Sequence, residues 1–496
     1  MEKKELRLLI AIFLVTLTIR LIFAFLIPNL TYDSYFHLRQ VENVLHNGIP
    51  AYTDPYSYGG TETRFLPLFY YFNALFALIL PLELLAKIIP NILLASLTII
   101  TYLISTKITE NKTGPFISAT IAGLLPILYS TNSFTIETLA LPLIFLTIYS
   151  FLNIKNQKYI YLYIFLFLAS CLTSTATILI IIGLGIYLLL SIIEGKKLEN
   201  TEKELILFSL FFFIWTQFIF FKQNFLDRGL NFIWQNIPSS LIQSYFPIFS
   251  LSQTIILLSI IPLLAGIYTI YLSLFQLKNS RSFLLISFVI STSILAWFNL
   301  IQFNLALSFI GIILAILFST FYEEIINYLR KTKLSHFENK FTIILILLLL
   351  LTLIYPATTQ ALQQETPPNE AIYAFKSMTE NTLVDTIILS QLKEGNLISF
   401  YGQRKNFMDD HFISTKDAET RLKDLKTIYT TTFQTEALRL FDKYNIQYLI
   451  ITKNAKQVYN YTNPPYINPD CFYLIYKYHQ NDIYKIKCTL KNRNIK

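Results

Sequence analysis

Cysteine and charge are both scarce in this chain. It has three cysteines in 496 residues, and only 14% of its residues are charged. A soluble protein of this length carries about a quarter, so a soluble globular enzyme is excluded at the outset. Cys171 lies inside an apolar run, and Cys471 and Cys488 lie near the end; this scatter excludes a disulfide-rich scaffold and offers no zinc spacing. Cys471 and Cys488 flank an expected hairpin and pair only if that end is extracytoplasmic, although the expected cross-strand register is offset for it. There is no internal repeat and no low-complexity tract. The first apolar run, residues 6–27, lacks a small-residue cleavage site and is long enough to span, so it reads as a retained helix or signal-anchor.

What the chain does have is apolar surface. It is 54% hydrophobic, with 42 Phe, 32 Tyr and mean hydropathy +0.49. Leu/Ile/Phe runs recur from residue 6 to residue 357, which makes this a polytopic α-helical membrane protein. The net charge of +9 does not point to nucleic acid, because the basic residues sit in short loops between apolar runs.

Eleven runs are suited to crossing a bilayer: 6–27, 84–106, 116–132, 136–153, 159–172, 176–193, 205–222, 252–276, 283–299, 301–320 and 341–357. Residues 66–80 form a further, ambiguous run with Pro67 and Pro81 near its ends and Asn73 in its middle. The positive-inside rule decides its reading. With the N-terminus (Lys3, Lys4, Arg7) cytoplasmic and 66–80 not crossing, five basic clusters fall on the cytoplasmic side. They are Lys107 and Lys112; Lys155 and Lys158; Lys196, Lys197 and Lys203; Lys278 and Arg281; and Arg330, Lys331 and Lys333. We therefore read 66–80 as a re-entrant or surface-lying helix, and expect about 11–13 spans in a multi-pass cell-membrane protein.

Four regions then share the outer face: 28–83, 132–137, 223–250 and the tail from 358. The tail opens with Gln363-Gln-Glu-Thr-Pro-Pro368 and turns polar. Strands are expected at 384–389 and 448–452, helices at 417–428 and 434–444, and a closing hairpin from 472–478 and 483–487. This gives a membrane domain, 1–357, followed by an extracytoplasmic α/β domain, 358–496.

The densest chemistry lies in the first outer loop, Thr31-Tyr-Asp-Ser-Tyr-Phe-His-Leu-Arg39, which ends in Asp54-Pro-Tyr-Ser-Tyr-Gly-Gly60. Charge at the mouth of a membrane helix is expensive unless it works. Asp33, with His37 nearby, reads as a metal ligand; a cation there suggests phosphate chemistry on a lipid-linked substrate. Arg39 suits either Asp33 or a phosphate, and Arg20 either snorkels or meets an anionic head group. Glu137 opens an apolar helix on the same face, where the macrodipole alone favours it and where it can also share Asp33's ion. Asp54, Glu62 and Arg64 close the loop as further ligand or substrate contacts. In the tail, Asp409-Asp410-His411 looks metal-like, but adjacent acids on a strand end or turn point in different directions.

The strings Asp33-Ser-Tyr-Phe-His-Leu-Arg39, Glu42-Asn, Asn47-Gly48 and Asp54-Pro-Tyr-Ser-Tyr-Gly-Gly60 resemble the first outer loop of archaeal-type oligosaccharyltransferase catalytic subunits, of the glycosyltransferase C (GT-C) superfamily. The segment from Leu82-Glu83-Leu-Leu-Ala-Lys87 through 133–142 is similar too. The resemblance implies Mg²⁺ or Mn²⁺ on Asp33 and Glu137. It also implies transfer of a glycan from a polyprenyl (dolichyl) phosphate or diphosphate to an extracytoplasmic protein or glycan. Three departures stand out. Thr135 replaces the first acid of the second-loop pair. Asn236-Ile-Pro-Ser-Ser240 replaces a late-loop acid. Gln391-Leu-Lys-Glu-Gly395 replaces the acceptor-reading Trp-Trp-Asp-Tyr-Gly, leaving Lys393, Glu394 and Gly395 as the acceptor region. Two alternatives stand beside this reading: a transferase using a polyprenyl-phosphate monosaccharide, and a non-catalytic lipid-linked-glycan binder or transporter.

Overall fold

The computed structural model describes residues 3–490 apart from Thr63, 247–249, 278–279, Leu334, Ser414, Lys416 and Thr462, so Lys278 lies outside the described residues. The membrane domain is a bundle of apolar helices. In order they begin with α1 (Lys3–Leu26), α2 (Ser34–Asn47), α3 (Leu68–Ala77), α4 (Leu82–Ile108), α5 (Gly114–Leu124), α6 (Glu137–Phe151), α7 (Gln157–Thr173), α8 (Ile178–Ile193) and α9 (Asn200–Arg228). Helices Leu251–Leu258, Ile260–Leu272, Ser280–Trp297, Phe303–Arg330 and Glu338–Leu362 complete it. Among the described residues six helices are long and apolar enough to cross a membrane, or seven if one bent pair counts as a single span.

That count is below eleven for local reasons. The run 116–132 is broken because Leu125 is extended (ψ 118°) and Pro126 starts a 3₁₀ turn, ending α5 at Leu124. The run 252–276 bends by 92° at Ser259, whose φ of 63° no helix tolerates. The Ser259 hydroxyl donates to the Thr352 hydroxyl at 3.1 Å and fixes the corner. Runs 136–153, 159–172 and 283–299 are helical but shorter than a full span. The ambiguous run is the ten-residue α3, about 15 Å long and too short to cross. It buries Phe69, Tyr70 and Asn73 and leaves Leu75 and Ile79 exposed.

Lipid removes most of the hydrophobic drive between helices, so close packing carries the bundle. Gly183 on α8 shows this: a Cβ there would sit 2.2 Å from the Phe288 ring. Phe288, Leu285, Leu179 and Phe309 are all at most 1% exposed in the same core.

The tail holds a five-stranded sheet in the order β4-β3-β5-β7-β6. Its strands are β3 (Ile387–Leu389), β4 (Lys405–Asn406), β5 (Ile446–Ile451), β6 (Phe472–Tyr478) and β7 (Asn481–Ile486); β1 (Thr53–Asp54) and β2 (Thr61–Glu62) form a separate ribbon in the first loop. β3 runs parallel to both β4 and β5, while β7 is antiparallel to β5 and β6. The helices Ala418–Thr430 and Gln434–Tyr444 bury Leu425, Ile428, Tyr429 and Phe441 against this sheet. Both expected helices and all four expected strands are present. Cys471 and Cys488 are disulfide-bonded. A register shift between Leu474 and Tyr476 pairs Phe472 with Ile486, so Cys488 lies one residue beyond the position opposite Cys471, and the bond spans that offset.

The tail is seated on the outer loops by polar contacts. Asn29 donates to Pro367 O and Asn369 Oδ1, and Gln364 accepts from the Asn132 amide. Through these and the first loop, the tail forms one wall of the cavity described next.

Candidate functional site

A cavity of about 510 Å³ opens between the membrane domain and the tail. Asp33, His37, Arg64 and Glu137 line it from the membrane side, and Asp410 and His411 line it from the tail. Asp33 is the last residue before α2, so its backbone caps that helix while its side chain remains free to face the cavity. Glu137 opens α6 on the opposite wall.

Asp33, Asp410 and His411 each offer a ligand atom, and these atoms lie within 4.8 Å of one another. His411 Nε2 is 3.6 Å from Asp33 Oδ1, and its Nδ1 is 3.3 Å from Asp410 Oδ1. The His411 ring stacks on Phe36 with centroids 3.5 Å apart, which holds it toward Asp33. Asn396 donates to Asp410 Oδ1 at 2.8 Å. Glu137 shares the cavity but falls outside this convergence; the acid that closes on Asp33 is Asp410. Glu137, the expected partner, lines the same cavity, and Asp410 and His411 join Asp33 there.

The reason lies in the backbone. Alternation of side chains along a strand argued against the whole Asp409-Asp410-His411 string, but the argument holds only for Asp409. That residue turns into the tail, 1% exposed, and accepts from the Ser57 hydroxyl at 2.6 Å and the Asn406 amide at 2.9 Å. The segment after it is irregular rather than extended, so Asp410 and His411 both face the cavity.

The crowding of carboxylates around one imidazole sets the electrostatics of the site. Asp33 keeps 47% of its side chain open, but to a cavity rather than to bulk water. The surrounding protein therefore pushes its pKa well up, and the charges of Asp410 and Glu137 push it further. Burial would lower the His411 pKa, but the Asp410, Asp33 and Asp409 carboxylates outweigh it and raise it to about 9. Burial would likewise raise Asp410, and its bonds to His411 and Asn396 bring it below the usual range. His37 is different. Buried against Tyr70, whose hydroxyl is 3.1 Å from Nδ1, it is pushed down to about 3 and is a neutral imidazole.

The other expected residues divide. Arg64 lines the cavity, with 36% of its side chain exposed, and bonds Glu62 at 2.9 Å. Arg39 and Asp54 do not line it. They form a buried ion pair, and Asp54 Oδ1 also accepts from the amides of Tyr56 and Ser57. An arginine at 5% exposure inside the loop is neutralised by a carboxylate already there. Arg20 is 1% exposed within the bundle, donates to Asn91 and lies over the Tyr129 ring, also away from the cavity. Lys393 pairs with Glu365, Glu394 is wholly buried against Thr452, and Gly395 packs on Met408 and Asp409. Glu394 and Gly395 are thus packed into the tail, and Lys393 is exposed on it.

The fold, an apolar helical bundle carrying a sheet domain, is similar to that of GT-C proteins of known structure. Among solved structures, the apo oligosaccharyltransferase of Archaeoglobus fulgidus superposes with TM-score 0.73 at 15% identity, over 93% of this chain and 72% of that one. The same organism's AglB in complex with an inhibitory peptide and a dolichol-phosphate gives 0.67 at 14%, over 90% and 69%. ArnT from Cupriavidus metallidurans bound to undecaprenyl phosphate gives 0.55 at 10%, over 98% of each chain. No family model and no curated protein matches the sequence.

Proposed function

We propose that this chain is a membrane glycosyltransferase moving a sugar or oligosaccharide from a polyprenyl-phosphate or -diphosphate donor to an acceptor outside the cytoplasm. The observation that carries the reading is the convergence of Asp33 with Asp410 and His411 on a cavity that also holds Arg64 and Glu137. Structures of this fold have been solved with dolichol-phosphate, with undecaprenyl phosphate, with zinc and sulfate, and with an acceptor peptide containing an Asn-Val-Thr sequon. The basic clusters put the N-terminus in the cytoplasm. The Cys471–Cys488 bond suits a tail on the oxidising side.

Two carboxylates and one imidazole are a fitting donor set for a divalent cation. The nitrogen suits Mn²⁺ or Zn²⁺ better than Mg²⁺, which prefers oxygen and retained water. Asp33, Asp410 and His411 would hold the ion, and when bound it would stabilise negative charge on the departing phosphate. Arg64 is the cavity's guanidinium and orients the phosphate. His37, neutral and backed by Tyr70, offers a hydrogen bond rather than a charge. Glu137 adds a carboxylate on the acceptor side of the cation cluster.

Transfer of a single sugar from a polyprenyl phosphate is the second reading. The burial of Glu394 and the tight packing of Gly395 favour it, since neither side chain position is open to a peptide. The test is transfer by the full-length protein in membranes supplied with lipid-linked sugar and Mn²⁺. Asp33→Ala and Asp410→Ala should each abolish transfer, and Glu137→Ala should reduce it less. Undiminished transfer by both aspartate variants overturns the assignment.

A further inference from the structure

We infer that the outer loop following α9 is a positioning arm for the cation site, with Asn236 as its principal contact; this rests on the cation reading above. The ligand-bearing segment is anchored unevenly. Upstream, Asp409 and Asn406 fasten it into the tail and to Ser57 and Tyr58 of the first loop. Downstream, Phe412, Ile413 and Thr415 are gripped by the membrane domain. The Asn236 amide donates to Phe412 O at 3.0 Å and to Thr415 O at 2.8 Å. The Asn224 amide donates to Ile413 O at 3.2 Å, and the Tyr245 ring lies 5.6 Å from that of Phe412. Ser239 adds a backbone and a hydroxyl bond to Glu419.

His411 and Asp410 therefore sit where the two grips meet. The arm supplies no carboxylate of its own in 236–240. What it supplies is geometry, since one carboxamide closes the turn immediately after His411. Its backbone is shaped for this: Gln235 and Asn236 both have φ of 54°, a left-handed conformation that asparagine tolerates better than most residues. Gln235 and Tyr245 of the same arm line the cavity. The arm thus touches substrate space on one side and the ligand segment on the other. The arm also packs Ile237 and Phe246 into the core that holds Leu425, Tyr429 and Leu449, and removing one carboxamide leaves that apolar packing in place. Loss of the grip should loosen the cation site without unfolding the domain.

The experiment is Mn²⁺ binding to the full-length detergent-solubilised protein, read from the electron paramagnetic resonance signal of free Mn²⁺, with a thermal melt in chelator as control. Asn236→Ala should weaken Mn²⁺ about tenfold or more, the usual cost of removing a group that orients a metal ligand, while the metal-free melt stays close to wild type. Asn224→Ala should weaken it a few-fold, and it carries the test alone if Asn236→Ala does not accumulate. Asp33→Ala should abolish binding. If Asp33→Ala binds Mn²⁺ normally, the cation reading falls and the arm with it. If Asp33→Ala fails but the asparagine variants bind as wild type, the arm alone falls. A loss of affinity that appears only with collapse of the metal-free melt also overturns it, because the role is then merely structural.

Discussion

Gly395 offers a sharp test of how the tail builds the site. Its backbone is helical, so no special dihedral demands glycine; space demands it. A Cβ at this position would lie 2.2 Å from Met408 O, 2.9 Å from Asp409 Cβ and 3.0 Å from Asp409 Cα. An ordinary contact begins near 3.4 Å, and two of these three atoms are main chain that cannot rotate away. Gly395→Ala must therefore displace the 408–409 backbone by on the order of 1 Å. Overpacking of this kind costs about 1–3 kcal/mol. The functional cost should be larger than the stability cost. Metal ligands tolerate only about ±0.2 Å, and Asp410 and His411 directly follow the displaced residues. The assay is a thermal melt of the full-length protein with and without saturating Mn²⁺. Wild type should gain about 2.7 kcal/mol at a hundredfold excess over Kd. Gly395→Ala should melt somewhat lower without metal and gain almost nothing with it. Gly402→Ala is the control: its Cβ would meet the flexible Met378 Sδ at 3.2 Å, far from the ligands, and the Mn²⁺ gain should persist. A full Mn²⁺ gain in Gly395→Ala would refute the reasoning.

Three further outcomes follow from the same geometry. Burial raises the Glu394 carboxyl to about 7, against the Thr452 hydrogen bond. Its folded-state pKa thus exceeds the unfolded value of 4.5, so its contribution is complete below pH 4.5 and is lost as pH rises through 7. Melts from pH 4.5 to 8 should show a loss on the order of 3 kcal/mol that Glu394→Gln abolishes; a pH-independent difference between the two proteins would contradict this. Arg64→Gln should weaken binding of a polyprenyl phosphate by about tenfold, as loss of a charge-assisted hydrogen bond implies, whereas Arg39→Gln should lower the melting temperature instead. Equal loss of lipid affinity in both would return Arg39 to the site. Cysteines placed at 107–112 should resist an impermeant thiol reagent from outside intact cells, and labelling there would invert the orientation.

The helical bundle was legible because hydropathy in lipid is nearly sufficient: every apolar run contains a helix in the structure. What hydropathy does not encode is where a helix breaks. Pro126 could have been read as the end of α5, since the residue before a proline leaves the helical region. Nothing in the type of residue at Ser259 announces a positive φ, and that corner is set by its packing against Thr352. In the tail the expected helices 417–428 and 434–444 are there because amphipathic periodicity survives in a soluble domain. The two-residue β4 was not legible, since its pairing to β3 comes from a distant segment.

The site itself divides along the same line between local and non-local information. The first outer loop drew notice because charge clustered at a membrane surface, and the structure explains that cluster in two parts. Asp33 faces the cavity. Arg39, Asp54, Ser57 and Tyr58 instead fasten the loop to itself and to the tail: Ser57 and Tyr58 bind the side chain and the carbonyl of Asp409, respectively. Those residues act on the chemistry through the neighbour they hold, because Asp409 anchors the segment from which Asp410 and His411 project. The string Asp409-Asp410-His411 is visible in the sequence, but the directions of three adjacent side chains on a strand end or turn are not. A ligand pair on an irregular segment needs support from both ends, and here the supports come from the first loop, from Gly395 and Asn396, and from Asn236. No single stretch of sequence contains that arrangement. The site exists only where the outer loops of the membrane domain meet the tail, so a tail produced alone should bind Mn²⁺ no better than a pair of exposed side chains would.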